Sequence, residues 1–272
     1  MEVGAKFVDL SSYNENMAKG IEDKLFFLTH LDKNEEYIFV DFGCADGTLI
    51  TTMFELFYKE GCYNNEYIGY DISETMIDFA KTKFSYPTDK VNFTNSWDEV
   101  EVGLVNNIGK KKVLILSSVI HEVYSYGTSD DVKSFWEKVT GCDFDYVCVR
   151  DMIPSRDIER SNFSLSQYIY DNYGDMYQLK DFENTWGKIT DNKNLVHFLL
   201  KYRWEINWNR ELNENYFPIY VDELISNMSG YEIDYLERFR VPFLEECWKQ
   251  NFGGLEINDY THIKAIFSKS KI

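Results

Sequence analysis

Residues 37–48 read Tyr37-Ile38-Phe39-Val40-Asp41-Phe42-Gly43-Cys44-Ala45-Asp46-Gly47-Thr48. Tyr37 to Phe42 is a short apolar run rich in aromatic and β-branched residues, which predicts a strand. It stops at a turn containing two glycines, and Thr48 to Lys59 then continues with helical character. Strand, tight turn and helix follow one another. Further along the chain the alternation recurs: strand Glu66 to Tyr70, helix Glu74 to Phe84, strand Val91 to Thr94, helix Trp97 to Ile108, strand Lys112 to Ser117, helix Asp130 to Thr140 and strand Phe144 to Arg150. Near-continuously apolar strands alternating with helices imply a parallel sheet covered on both faces.

On the N-terminal side, Met17, Ile21, Leu25 and Leu28 lie at helical spacing, with Asn14 as a candidate cap, predicting an amphipathic helix over 15–31. On the C-terminal side the rhythm breaks after Asp151. Residues 155–217 are rich in aromatics and Asn, with helix-like pieces at 164–173 and 194–201, and read as an inserted cap. A helix at 221–228 and strands at 231–240 and 260–268 then complete the sheet, the last two compatible with an antiparallel pair. The expected architecture is α/β: a doubly wound, mostly parallel seven-stranded sheet with an antiparallel last strand and a helical, aromatic-rich cap. Its expected parts are an N-terminal helical segment (1–35), a core (36–154), the cap (155–217) and a completion of the sheet (218–272).

With 272 residues, 44% of them hydrophobic and 17% aromatic, the chain can bury a large core and is not a globally disordered polymer. There is no long uninterrupted apolar run and no signal-peptide pattern at the start, so a soluble, cytoplasmic protein with no membrane partner is expected. Five cysteines without a CxxC pair or a partnering His spacing predict free thiols and no metal site. The net charge of −18 repels a polyanion at long range and argues against a long nucleic acid as partner.

The chemistry begins in the turn. Gly43 and Gly47 provide backbone without Cβ, and Ala45 between them is the next smallest side chain, so a ligand can approach the main chain. A dinucleotide fingerprint would carry its third glycine at Thr48, where it is missing. The pattern instead resembles the first motif of class I S-adenosylmethionine-dependent methyltransferases, acidic-x-Gly-x-Gly-x-Gly, with Ala45 at the middle glycine. The resemblance implies a Rossmann-like fold, S-adenosylmethionine as cofactor, and a loop (Asp41, Gly43, Ala45, Gly47) that holds its methionine end. It further implies that Asp71, at the end of Tyr67-Ile68-Gly69-Tyr70-Asp71, accepts hydrogen bonds from the ribose hydroxyls, with Ile72 bordering the adenine. Where the family often carries an acidic residue for the adenine amine, this chain has Asn95-Ser96-Trp97. Asn95 or Ser96 can accept that hydrogen bond and Trp97 is a candidate for stacking on the base.

Lys112 to Ser117 leads into Ser117-Ser118-Val119-Ile120-His121-Glu122-Val123-Tyr124. Ligands in open α/β sheets lie beyond the carboxyl ends of the strands, so Ser117 and this loop are expected to border the transferred methyl group. His121 is either a general base, with Glu122 orienting its ring, or a structural residue behind the cofactor. Asp151 ends its own strand toward the same crevice. Tyr124 and the arginines Arg150, Arg156 and Arg160 are candidates for holding the acceptor. Ordinary ion pairing with nearby acids is the competing account of the arginines. Together these readings predict a methyltransferase acting on an oxygen or nitrogen of a small-molecule or nucleotide acceptor. The alternatives are an RNA or tRNA methyltransferase using Lys110 to Lys112 and the same arginines, an inactive S-adenosylmethionine-binding partner protein, and an NAD-dependent enzyme.

Overall fold

The computed structural model describes residues 20–270. Seven strands form one sheet: β1 (Tyr37–Phe42), β2 (Glu66–Tyr70), β3 (Val91–Thr94), β4 (Lys111–Ser117), β5 (Tyr146–Asp151), β6 (Tyr231–Phe239) and β7 (His262–Lys269). Their order is β3-β2-β1-β4-β5-β7-β6. The first five pair in parallel, and β7 runs antiparallel to both β5 and β6. This is the predicted sheet, with its antiparallel strand inserted between β5 and β6.

All six residues of β1 are buried, because both faces of the sheet are covered. Successive side chains alternate between the faces. Ile38, Val40 and Phe42 point to one side, where they pack with Trp97, Val100 and Leu104 of α4 (Trp97–Asn106), Phe135 and Val139 of α6 (Ser129–Gly141) and Leu224 of α11 (Val221–Asn227). Tyr37 and Phe39 point to the other, against Ile50 and Met53 of α2 (Thr48–Lys59), Ile77 and Ala80 of α3 (Glu74–Lys83), and Phe27 from the N-terminal segment. Between β4 and α6 lies the short α5 (Ile120–Tyr126).

The cap holds α7 (Phe163–Tyr173), α8 (Tyr177–Trp186), α9 (Asn192–Lys201) and α10 (Trp208–Asn213) around its own apolar core. That core also draws Trp248, Phe252, Leu255 and Ile257 from the segment between β6 and β7, where residues 242–251 form α12 (Pro242–Asn251). Most of the aromatics in residues 155–217 are accounted for by packing: Tyr202 and Trp208 are buried, and Tyr170, Tyr173 and Trp186 lie against the same core. Tyr168 and Tyr177 are exposed.

The predicted N-terminal helix is reduced, among the described residues, to α1 (Ile21–Lys24) followed by a 3-10 turn at Phe26–Thr29. Its expected cap Asn14 and the position Met17 lie outside the described residues. Of the expected face Leu25 is buried and Ile21 and Leu28 lie partly buried against the same core, where Phe27 and Leu31, outside that spacing, are buried as well. No helix among the described residues is long and apolar enough to cross a membrane.

Candidate functional site

The sheet order reverses between β1 and β4, since β1 continues to β2 on one side while β4 and β5 lie on the other. Two loops leaving neighbouring parallel strands in opposite directions open a crevice there. A small cavity of about 20 Å³ sits at that place, with room for roughly one water molecule, and it is lined by Lys24, Asp41, Gly43, Cys44, Asp46 and Ser117 among others. It joins the end of β1, the end of β4 and α1.

The turn after β1 has an unusual backbone. Gly43, Ala45 and Gly47 all have positive φ (78°, 46° and 72°). Glycine is required at 43 and 47 for a second reason: a Cβ at Gly43 would stand 2.7 Å from Val119, and one at Gly47 would stand 2.7 Å from the Phe93 ring. Ala45 holds a conformation disfavoured for a residue with a side chain, and its N–H donates to Oδ2 of Asp71 at 2.9 Å. Asp71 also accepts from the Ser73 N–H through Oδ1, 2.9 Å. A carboxylate has about four lone-pair sites, so both oxygens keep acceptor capacity for further donors. Burial raises the Asp71 carboxyl above its ordinary value, while the Ser73 and Ala45 bonds pull it back. Asp71 therefore fastens the two candidate cofactor segments together.

Ile72 beside it is 70% exposed, and Asn95 is exposed at the end of β3. Ser96 is the N-cap residue of α4, and its hydroxyl makes no capping bond. Trp97 corrects the expectation of a stacking surface. As the first residue of α4 it is 9% exposed, with its ring 5.2 Å from Tyr70 and 5.5 Å from Phe42 and the Lys138 ammonium over it at 5.6 Å.

Asp41 is buried at the base of the turn, and burial pushes its carboxyl up to about 7, with Lys24 opposing and Asp71 and Asp46 reinforcing the shift. Asp46 is differently placed: Lys83 donates to it at 2.6 Å and the Thr48 hydroxyl at 2.7 Å. The Ser117 hydroxyl is buried and has no hydrogen-bond partner among the described residues.

At the start of α5, the His121 Nδ1 lies 2.7 Å from Asp151 Oδ1 at the end of β5. Both groups are buried, and Asp151 also accepts from the N–H groups of Ile120 (2.7 Å) and Met152 (2.7 Å). Burial pulls the imidazole down, but the Asp151 charge and hydrogen bond, aided by Glu122 and Glu214, outweigh it and hold His121 up at about 9. Burial would raise Asp151, yet His121 and the two N–H donors keep it below its ordinary value. The partner that orients the ring is thus Asp151 and not Glu122, as the sequence suggested. Glu122 turns instead to Arg210 of α10, 2.9 Å away, which also reaches Glu214 at 2.9 Å. Glu214 accepts from the Tyr126 hydroxyl at 2.7 Å, and the His121 ring meets Tyr216 edge-on with centroids 5.6 Å apart. Arg210, Glu214 and Tyr216 escaped sequence reasoning because they come from the cap. Only their polar character in an apolar insertion signalled them.

The pair has a sign-definite pH signature. His121 has a folded-state value raised above its ordinary 6.5, so its contribution is fully present below about pH 6.5 and is lost as pH rises through about 9. Lys24, depressed to about 8, and the fully buried Lys201 of α9, depressed to about 7, act with the opposite sign, gaining stability as pH rises. The quantity to read is therefore the difference in urea-unfolding free energy between wild type and His121→Gln. It is expected to shrink by about 3 kcal/mol between pH 6 and pH 9.5. A difference independent of pH would show that His121 is neutral in the fold.

The remaining candidates are not gathered at the crevice. The Tyr124 hydroxyl accepts from Trp136 Nε1 at 2.9 Å, and its ring packs on the sheet core. Arg150 is bound by Asp23 (2.9 Å), Arg156 by Asp222 (2.8 Å) and Glu223 (2.8 Å), and Arg160 by Asp259 (2.7 Å). Lys110 pairs with Glu66 and Lys111 with Asp145. Lys111 begins β4 while Arg150 lies near the end of the parallel β5, so the two halves of the suggested basic patch sit at opposite ends of the sheet. Each of these five cations already has a carboxylate, which leaves little of them for a phosphate backbone.

No protein-family model matches the sequence, and no curated protein matches it. Solved structures do match it in shape. A SAM-dependent methyltransferase from Anabaena variabilis ATCC 29413 is similar over 92% of this chain and 83% of its own, with a TM-score of 0.50 and 10% identity. The cyclopropane synthase MmaA2 from Mycobacterium tuberculosis is similar over 92% of this chain and 84% of its own, with a TM-score of 0.48 and 10% identity. The chain has the Rossmann-like α/β fold of the class I S-adenosylmethionine-dependent methyltransferases.

Proposed function

We propose that this chain binds S-adenosylmethionine at the carboxyl ends of β1, β2 and β4 and methylates an oxygen or nitrogen of a small-molecule or nucleotide acceptor. The observation that carries the reading is the Asp71 carboxylate, held at the end of β2 by the N–H of Ala45 in a turn of three left-handed residues beside the sheet's reversal point. A carboxylate in that position suits two ribose hydroxyls, and the buried Ser117 hydroxyl, without a partner among the described residues, lines the same cavity. The residues present fit the cofactor. Asp41, Gly43, Ala45 and Gly47 face its amino-acid end, Asp71 its ribose, and Ile72, Asn95 and Ser96 its adenine.

When bound, the sulfonium supplies an activated methyl group, so placing the acceptor in line does most of the work. His121 and Asp151 form a buried, hydrogen-bonded pair with the imidazole held protonated, just beyond the ends of β4 and β5. An imidazolium lacks the lone pair a base needs, so this pair orients the acceptor rather than taking its proton. The cap, residues 155–217 with the helix at 242–251, closes the acceptor side and excludes water. The buried Lys201 braces it by donating to the carbonyls of Glu211 and Glu214.

Isothermal titration with S-adenosylhomocysteine and, separately, NAD tests the reading. Binding of the first alone is expected. No binding of S-adenosylhomocysteine to the intact protein would overturn the methyltransferase reading, and binding of NAD in its place would favour the dinucleotide alternative.

A further inference from the structure

Helix α5 meets the cap along one side. Glu122 pairs with Arg210 at 2.9 Å, the Ser125 hydroxyl accepts from the Asn215 N–H at 2.8 Å, and the Tyr126 hydroxyl donates to Glu214 at 2.7 Å. Residues three and four apart lie on the same face of a helix, so 122, 125 and 126 form a single seam with the cap. Because α5 starts directly beyond the carboxyl end of β4, this seam borders the place where a transferred methyl group would leave the cofactor.

Carboxylates outnumber cations along the seam. Glu122 and Glu214 each lie 2.9 Å from the same guanidinium, that of Arg210, and the His121 imidazolium beside them is held by Asp151 at 2.7 Å. The two glutamates differ in access, Glu214 being 3% exposed at the side chain and Glu122 36%. Burial nevertheless raises the Glu122 carboxyl above its ordinary value, opposed by His121 and Arg210 and reinforced by Glu214 and by Asp71. A group that is desolvated yet open to solvent lines a concave surface, and the reach of the Asp71 charge puts that surface toward the end of β2. Arg210 takes Oε1 of Glu122, and no hydrogen-bond donor among the described residues reaches Oε2. The seam therefore turns a carboxylate oxygen with open acceptor capacity toward the crevice.

We propose that Glu122 determines which acceptor is methylated: its open carboxylate oxygen receives a positively charged amine on the acceptor, so that amines are admitted ahead of phosphates and carboxylates. This rests on the cofactor reading above and narrows its acceptor class. An anionic acceptor in the same place would meet Glu122, Glu214 and Asp71, and like charges brought together cost affinity.

Sinefungin tests this without knowledge of the acceptor. It has the adenosine and amino-acid ends of the cofactor but carries an ammonium in place of the transferable methyl group, so its N–H donors point to where an acceptor amine would stand. S-adenosylhomocysteine shares both ends and has no charge there. Calorimetric titrations use the full chain as wild type, Glu122→Gln and Glu122→Asp, with thermal melts to verify that each variant is folded. Wild type is expected to bind sinefungin about tenfold or more tightly than S-adenosylhomocysteine, and Glu122→Gln to bring the two within about twofold by weakening sinefungin alone. Glu122→Asp, which keeps the charge, is expected to retain part of the preference. S-adenosylmethionine has a sulfonium charge but no N–H to donate, so Glu122→Gln is expected to change its affinity by less than about threefold. A loss equal to that of sinefungin would assign the carboxylate to the sulfonium and overturn the proposal. A sinefungin preference that survives in Glu122→Gln, or equal weakening of sinefungin and S-adenosylhomocysteine, would also overturn it. Wild type that binds S-adenosylhomocysteine without preferring sinefungin removes the Glu122 role alone, whereas wild type that binds none of the three removes the cofactor reading itself.

Discussion

Replacing Asp71 with alanine is expected to weaken S-adenosylhomocysteine by about a hundredfold or more. Two charge-assisted hydrogen bonds to ribose hydroxyls are each worth about 1.5 to 3 kcal/mol, and every 1.4 kcal/mol is a factor of ten. The same carboxylate fixes the N–H of Ala45 at 2.9 Å, so its removal also frees a non-glycine residue held at φ 46°. Part of the loss will therefore come from a looser turn. Asp71→Asn separates the two contributions. Its amide oxygen can still accept from Ala45, but the amide group carries no charge for the ribose, so an intermediate loss is expected with the melting temperature close to wild type. Calorimetric titration of the three proteins reads the result. An Asp71→Ala protein that binds as tightly as wild type would remove Asp71 from the site.

The largest effect on stability is expected from Asp151→Ala. Asp151 is completely buried and accepts from the His121 ring and from the N–H groups of Ile120 and Met152. Truncation leaves a buried imidazole without its counter-charge and two backbone donors without an acceptor. Breaking a buried pair from one side typically costs about 3 to 5 kcal/mol. Urea unfolding at pH 7 should show a loss of that size. Asp151→Asn, which retains an acceptor for one of the two N–H groups, should lose less. The double replacement His121→Phe with Asp151→Val should recover part of the loss, because no unpaired charge remains. A loss below about 0.5 kcal/mol in Asp151→Ala would mean that the pair contributes nothing net.

These two residues differ in how visible they were beforehand. Asp71 follows directly on a strand and lies 26 residues from the backbone group it holds, with the whole unit inside one strand-helix-strand repeat. Residue order alone put it in place. The His121–Asp151 pair joins the helix that follows β4 to the end of the neighbouring β5, and the assignment of Glu122 as the orienting group came from its being next in sequence. In a helix, neighbouring residues diverge by about 100° around the axis, so i and i+1 side chains do not face one another. Glu122 was turned away from His121 by that geometry and met Arg210, 88 residues later.

Trp97 is buried where stacking on a ligand was expected, and the arginines meet the ion pairing that was the competing account of them. A tryptophan at a strand-to-helix junction can point out to a ligand or in under the sheet, and Phe42 and Tyr70 offered it a buried aromatic niche that sequence could not display. Arg150, Arg156 and Arg160 stand close together in the chain, but their carboxylate partners are 127, 66 and 99 residues away and point them in different directions. With 46 acidic residues against 28 basic ones, almost any arginine brought to the surface finds an acid.

By itself the sequence determined the alternating elements, the sheet covered on both faces, and the glycine turn followed by a carboxylate at the end of the next strand. All of these depend on apolar period, on glycine's missing Cβ, and on order within a strand-helix-strand unit, which are local quantities. Tertiary structure alone decided which carboxylate pairs with His121, what the arginines hold, that the 242–251 helix joins the cap, and that Lys24 reaches the cavity beside Asp41. Charged partners are chosen by where the folded backbone delivers them. A buried charge must find its opposite at whatever distance along the chain that lies.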